Sequence, residues 1–337
     1  MKNKLYLFGL FLSILAGCSE DDNIATNPEG AIDLSMQKGN KNSTLGGFMY
    51  IDVGNNFITS NEDTYIVPFG AVKGLENVSM IPKSGWSKKV AVILGSGYVV
   101  CHGNQFYRLL VKGYSMDTFN EITGVNLQYQ TPFTGPGGNI NLSTDLAAFT
   151  PFPTLPVDIS LDNSQIEPFD IVFLSAGIKW CSAYLKPVLD NTTLSMHLII
   201  SAKPYPDIKK TNDTNRETTI TIRGITKTEK KVKVTQEGVD PYIKLTGGIS
   251  SPIYYEAKKE SYSIWIETNL SFNDWGAKSD NEAWFNVKKS STANNLNDIT
   301  IEADIKANSS GKARDGKIVL YSADYGINDT IRIIQKP

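Results

Sequence analysis

Two histidines, His102 and His197, and three cysteines, Cys18, Cys101 and Cys181, are all the chain offers of these residue types. Acid–base, nucleophilic or metal chemistry must draw on them, on serines, or on carboxylates. Each histidine lies in or beside an apolar run, His197 within Leu194-Ser195-Met196-His197-Leu198-Ile199, which favours a satisfied strand residue over a base. Cys101 and His102 are adjacent, so in a strand they face opposite ways. Ser96, in Gly95-Ser96-Gly97, falls short of the Gly-x-Ser-x-Gly elbow of hydrolases. No set of His and Cys has the spacing of zinc ligands, and neither metal nor cofactor is expected. Carboxylates such as Asp170 and Glu282 would serve a glycosidase only as a pair about 5–10 Å apart, which the sequence does not show. The expectation is a protein without catalysis.

Aromatic side chains carry the sharper possibility, which is binding. Along Tyr262-Ser263-Ile264-Trp265-Ile266-Glu267, strand alternation puts Trp265 on the face opposite Ile264 and Ile266, hence outward. The polar run Phe272-Asn273-Asp274-Trp275-Gly276 carries a second tryptophan. Sugar rings stack on exposed aromatic faces, and Asn and Asp accept hydroxyl hydrogen bonds, so Trp265 and Trp275 form a candidate platform for a glycan. The alternative is that both cap the edge of a core or face a neighbouring domain. Trp180 and Trp284 are assigned to two cores further along the chain, and Trp86 to the first domain.

These residues need elements to hold them. Phe48–Val53, Lys89–Leu94, Phe106–Val111 and Val125–Tyr129 are short, β-branched or aromatic, and separated by Gly, Asn or Ser clusters. That pattern specifies strands. No stretch keeps a 3.6-residue apolar period over three turns, so the fold is expected to be all-β. Lys+Arg 33 against Asp+Glu 35 leaves no basic excess for nucleic acid. At 337 residues the chain exceeds one typical domain. The Gly135–Gly138 stretch and Pro151, Pro153 and Pro156 mark a boundary. Beyond it, Arg216 to Gln236 is echoed by Arg314 to Gln335, each unit preceded by a tryptophan. A period this long suits tandem domains rather than a solenoid, with the joint near Gly238-Val239-Asp240-Pro241. Cys101 and Cys181 are expected to be buried free thiols, a disulfide between them being the alternative.

The N-terminus has the layout of an export signal: Lys2 and Lys4, an apolar run from Leu5 to Leu15, then small residues. The run is too short for a spanning helix, which needs about 20 residues. Leu15-Ala16-Gly17-Cys18 looks like a bacterial lipobox, in which residues 1–17 are removed and Cys18 is diacylated with palmitate-type chains. Residues 18–30 then form a polar tether. Glu20-Asp21-Asp22 either is similar to the signal that sends Bacteroidetes lipoproteins to the outer face of the outer membrane or opens an ordinary solvated linker.

Trp86, the Gly95-Ser96-Gly97-Tyr98-Val99-Val100 strand, Tyr107-Arg108-Leu109 and Tyr129-Gln130-Thr131-Pro132-Phe133 together resemble a family of uncharacterised Bacteroidetes lipoproteins, a domain of unknown function. The usual Gly-His-Gly-Tyr form of that strand has Ser96 in place of histidine here. From Tyr254 onward, Ser263–Asn269, Ala283–Val287 and above all Ala307-Asn308-Ser309-Ser310-Gly311-Lys312-Ala313-Arg314-Asp315-Gly316-Lys317-Ile318 resemble a BACON domain, the Bacteroidetes-associated carbohydrate-binding module. Leu155 to Gly238 resembles it more loosely. Physically, Asn-x-Ser-Gly supplies a turn with a residue free to take positive φ. The resemblance implies immunoglobulin-like sandwiches. The expected organisation is a small N-terminal β domain over 31–150, a degenerate BACON-like sandwich over 151–239 and a BACON sandwich over 240–337. The expected role is a cell-surface lipoprotein that binds a glycan or a host glycoprotein such as mucin. The alternative is a structural spacer or partner-docking subunit of an outer-membrane protein complex.

Overall fold

A computed structural model describes residues 28–163, 168–173, 178–211, 215–246, 251–291 and 299–337. Cys18 and the expected export signal lie outside the described residues. The chain forms two compact units: one holds the described residues up to Gly137 with Pro168 and Pro187–Leu194, the other the remainder.

In the first unit, β1 (Ile32–Gln37), β2 (Met49–Ile51), β3 (Asn56–Thr59), β4 (Thr64–Ala71), β5 (Lys89–Ala91), β6 (Ser96–His102), β7 (Gln105–Met116) and β8 (Ile122–Gln130) follow in order. They form a sheet β1-β8-β7-β6-β4 and a smaller sheet β2-β3-β5, antiparallel throughout. Met36, Phe48, Phe57, Tyr98, Leu109 and Leu127 bury one shared core. Some of the motif residues meet on the other face of the larger sheet. Arg108 and Gln130 are cross-strand partners, joined Nε to Oε1 at 2.7 Å, and the guanidinium lies 5.2 Å from the Phe133 ring. Gly97 is glycine for want of room: a Cβ there would fall 2.4 Å from Val78 Cγ2.

The turn between β2 and β3 is held by one carboxylate. Asp52 Oδ1 accepts from the backbone N–H of Gly54 and of Asn56, both at 2.8 Å, and Oδ2 lies 3.0 Å from Lys89 Nζ. Burial works to raise its pKa, but the hydrogen bonds from Lys89, Asn56 and Gly54 outweigh it and hold the carboxyl at about 2 against the usual 3.8. A depressed folded pKa gives stability that is fully present above the unfolded value and lost as pH falls through the folded one. Asp52→Asn should therefore be less stable than the parent near neutral pH, with the gap closing between about pH 4 and pH 2. Urea melts across that window check it; a gap that stays constant would rule out Asp52 as the cause.

Beyond Gly137 the chain contains one strand arrangement twice, all of it in the second unit except Pro187–Leu194 at one hairpin of the first copy, which groups with the first unit. Its first copy is β9 (Ile140–Leu142), β10 (Leu146–Phe149), β11 (Val157–Asn163), β12 (Asp170–Phe173), β13 (Cys181–Asp190), β14 (Thr193–Ala202), β15 (Arg216–Arg223) and β16 (Glu229–Gln236). The second is β17 (Ile243–Leu245), β18 (Ile253–Tyr255), β19 (Glu260–Thr268), β20 (Gly276–Ser279), β21 (Phe285–Ser291), β22 (Ile299–Ile305), β23 (Arg314–Ser322) and β24 (Ile327–Gln335). The sheets run β13-β14-β11-β9 and β10-β16-β15-β12, then β21-β22-β19-β17 and β18-β24-β23-β20, so the copies correspond strand for strand. In each, the second strand pairs in parallel with the last. Sheets of order A-B-E-D and A′-G-F-C are those of an immunoglobulin-like sandwich. The molecule is all-β, with immunoglobulin-like sandwiches in tandem.

Alternation builds each layer. On β23, Gly316, Ile318, Leu320 and Ser322 are buried while Asp315, Lys317 and Tyr321 face out, and on β24 Ile331, Ile333 and Gln335 are buried. The Asn308 turn forms as its residues require: Ser310 N–H donates to Asn308 Oδ1 at 3.1 Å, and Gly311 takes φ +68°.

Two details differ from the sequence reading. The first sandwich begins at β9 and β10, ahead of the boundary drawn at residue 151, because β9 pairs with β11 and β10 with β16. At three and four residues both strands are too short to stand out in the sequence. Trp180 is half-buried rather than a core residue, with the Arg216 guanidinium 4.7 Å from its ring. Trp284 and Trp86 are buried as expected, at 6% and 0% exposure.

Candidate functional site

Exposed aromatic side chains gather on the last sandwich, where Tyr242, Tyr254, Tyr262, Trp265 and Tyr321 all reach solvent. Trp265 is 45% exposed on β19, an inner strand of its sheet. Ile264 and Ile266 on either side of it are buried, which fixes the indole on the outer face. Its cross-strand partner Thr300 is buried, and Glu302 beside Thr300 on that face is exposed. Glu267, two residues along β19, accepts from Tyr242 Oη at 3.2 Å and pairs with Lys244 at 3.2 Å. Lys244 Nζ in turn sits 5.1 Å from the centre of the Tyr242 ring. The outcome is an outer sheet face with a large exposed indole on an inner strand and charged side chains on the same face.

Trp275 does not join it. The indole is 4% exposed and belongs to the core with Leu270, Trp284 and Phe285. Phe272–Asp274 makes a single 3₁₀ turn that delivers the next residue inward. Lys289 from β21 closes the turn, its ammonium donating to the carbonyls of Phe272 and Trp275. That ammonium lies 4.2 Å from the Phe272 ring centre and 4.6 Å from that of Trp275. Burial pushes the Lys289 pKa down. The polar letters Asn-Asp-Trp-Gly suggested an exposed loop; what they do not reveal is a lysine on another strand satisfying the turn's carbonyls. The proposed two-tryptophan platform therefore does not exist: one indole lies outside a sheet and the other between the sheets.

A concave feature appears on the other sheet. Asn273, Asp274, Trp275, Gly276, Tyr321, Ser322, Ala323 and Asp324 line a pocket of about 310 Å³. Tyr321 and Gly276 are cross-strand partners, and an added Cβ at Gly276 would fall 2.3 Å from Tyr321 Cζ. The ring thus lies across the glycine of an edge strand, an arrangement known to shield backbone that glycine leaves bare. Sequence reasoning passed over Tyr321, although its outward parity on β23 was available.

The groups able to do chemistry are engaged elsewhere. His102 stacks on Phe48 at 4.3 Å with Nδ1 2.7 Å from Thr64 Oγ1, and burial lowers its pKa. His197 lies between Asp158, Nδ1 to Oδ1 2.6 Å, and Ser195, Oγ to Nε2 3.0 Å. Serine, imidazole and carboxylate in that order resemble an acyl-transfer relay. Ser195 and His197, however, sit on β14, flanked on both sides in its sheet. Backbone N–H groups of such a strand are committed to the ladder rather than free to form an oxyanion hole. Cys101 and Cys181 are free and buried, and burial raises both thiol pKa values. Ser96 is buried. Among the described residues no group of three His, Cys, Asp or Glu could hold a metal ion, and no helix is long and apolar enough to cross a membrane.

No family model matches the chain, and no curated protein matches it. Among solved structures it is similar to a three-immunoglobulin segment of titin, at 8% identity over 92% of this chain and 88% of that one, TM-score 0.25. A titin immunoglobulin pair matches at 10% identity over 59% and 98%, TM-score 0.21. An endo-fucoidan hydrolase of glycoside hydrolase family 107 matches at 12% identity over 93% of this chain and 42% of that one, TM-score 0.25. At these scores the likenesses add nothing to the strand order described above.

Proposed function

We propose that this chain is a non-catalytic surface lipoprotein, held at the outer membrane through Cys18, whose last sandwich binds a glycan or glycoprotein on the face around Trp265. The observation that carries the reading is the exposed indole on an inner strand, ringed by Glu267, Glu302 and Lys244. An indole left in water at the middle of a sheet face forgoes the burial that stabilises such a side chain, and a sugar ring restores it. The resemblance of residues 240–337 to a BACON domain supports the same ligand class. The Leu15-Ala16-Gly17-Cys18 sequence supports the anchor.

The test is binding of residues 23–337 to plant polysaccharides, host glycans and mucin, with Trp265→Ala alongside. Loss of a central aromatic contact costs about 1–3 kcal/mol, so affinity should fall about 5- to 150-fold with the melting temperature nearly unchanged. Equal binding by both proteins would move the site off this face. Binding by neither would favour the second reading, a spacer or partner-docking module. That reading has its own support in the strand-for-strand duplication of the sandwich.

A further inference from the structure

We propose that the Tyr321 pocket is a second, separate saccharide subsite, suited to an uncharged sugar ring. The proposal rests on the glycan reading of this sandwich but concerns the opposite sheet. Trp265 projects from the β21-β22-β19-β17 sheet, whereas Tyr321 belongs to the β18-β24-β23-β20 sheet.

The aromatic element is fixed before any ligand arrives. Tyr321 lies across Gly276 and is still 42% exposed, so backbone supports the ring and solvent reaches it. The walls are braced as well. Ser322 Oγ donates to the Asp274 carbonyl at 2.5 Å, tying the 3₁₀ turn to the end of β23. Behind the opposite wall, Thr211 N–H and Oγ donate to the Asp324 carbonyl at 2.8 and 3.1 Å. Lys289 fixes the carbonyls of Phe272 and Trp275. A site held this way binds without having to order its own loops.

Trp275 lines this pocket while its indole is packed in the core and its N–H is shut off from solvent, so its resonance reports occupancy from behind the wall without being a ligand contact. The polar lining sets the class. Asn273, Asp274 and Asp324 offer acceptors for hydroxyl donors. Asp274 and Asp324 in the lining outnumber the ammonium of Lys278, whose Nζ is 5.3 Å from the Tyr321 ring centre; the net negative wall disfavours a uronate or sulfate, so a neutral ring is preferred. A volume of about 310 Å³ lies at the lower end of small-molecule sites and suits a short saccharide.

Indole N–H resonances of the ¹⁵N-labelled chain, residues 23–337, test the idea, titrated with neutral xylo-, manno- and cello-oligosaccharides and with oligogalacturonate. The Trp275 resonance should move saturably with a neutral sugar. Tyr321→Ala should abolish that response while leaving the Trp265 response intact, and Asn273→Ala, which keeps the ring, should weaken it. A Trp265 response with Trp275 silent would overturn the second subsite and leave the first reading standing. So would a Trp275 response that survives Tyr321→Ala in a folded protein. A stronger response to oligogalacturonate would overturn the uncharged class. Silence of both indoles towards every sugar would remove the glycan reading together with the subsite.

Discussion

Trp86→Ala is expected to destabilise the first unit by about 3–5 kcal/mol, the range for emptying a large buried aromatic site. The indole is fully buried, stands edge-on to Phe106 at 6.4 Å, and donates from Nε1 to the Pro82 carbonyl at 2.6 Å. Alanine would remove the packing and the donor together. Trp86→Phe separates the two, keeping most of the volume, and should cost less. Calorimetry is the right measurement because a chain of two compact units need not unfold in one step. The transition of the first unit should move down by about 10 °C or more and the other should stay. A loss under about 1 kcal/mol would mean the site collapses around alanine and that Trp86 does not organise this unit.

Much of this architecture can be read from residue order because its strands are local and alternating. The interval from Arg216 to Gln236, repeated from Arg314 to Gln335, has a geometric origin. In each hairpin the arginine opening one strand is the cross-strand partner of the glutamine closing the next. Arg108 and Gln130 in the first unit are partners of the same kind. Parity also placed Trp265 outward. What the sequence concealed depends on contacts distant along the chain. β10 is short and gains its strand character from a parallel pairing with β16, far downstream. The inward turn of Trp275 depends on Lys289, and the half-buried state of Trp180 depends on Arg216, each on another strand. Tyr321 became a site residue only when the Gly276 strand and the 3₁₀ turn were laid beside it. A one-dimensional pattern shows which face a residue takes, but not what the partner strand brings to that face.

The two glutamines allow the sharpest energetic comparison. Gln236 and Gln335 are each 0% exposed. Gln236 Nε2 donates to the carbonyls of Thr150 at 2.9 Å, Pro151 at 3.3 Å and Lys203 at 3.1 Å. Gln335 Nε2 does the same for Glu256 at 3.1 Å, Ala257 at 3.3 Å and Lys306 at 2.9 Å. In both copies the amide at the end of the last strand reaches the segment after the parallel strand and the one after the inner strand of the facing sheet. It therefore joins the sheets at one end of the sandwich. The acceptor side differs. Gln236 Oε1 takes a hydrogen bond from Arg216 Nε at 3.0 Å, whose guanidinium sits 4.7 Å from the Trp180 ring and 4.3 Å from that of Tyr205. Gln335 Oε1 has no partner among the described residues. Leucine fills nearly the same volume, so either substitution chiefly strands polar groups. Gln335→Leu should cost about 1–3 kcal/mol for its orphaned carbonyls, and Gln236→Leu should cost about 1–2 kcal/mol more because a charged donor loses its acceptor as well. Adding Arg216→Met to Gln236→Leu should recover part of that excess, a coupling that a double-mutant cycle of denaturant melts measures directly. Arg216 would keep its bond from Nη2 to the Lys203 carbonyl at 2.7 Å; if Gln335→Leu proved the costlier change, the lost Arg216–Gln236 bond could not be what distinguishes the copies, and the shared amide clamp would account for the whole effect.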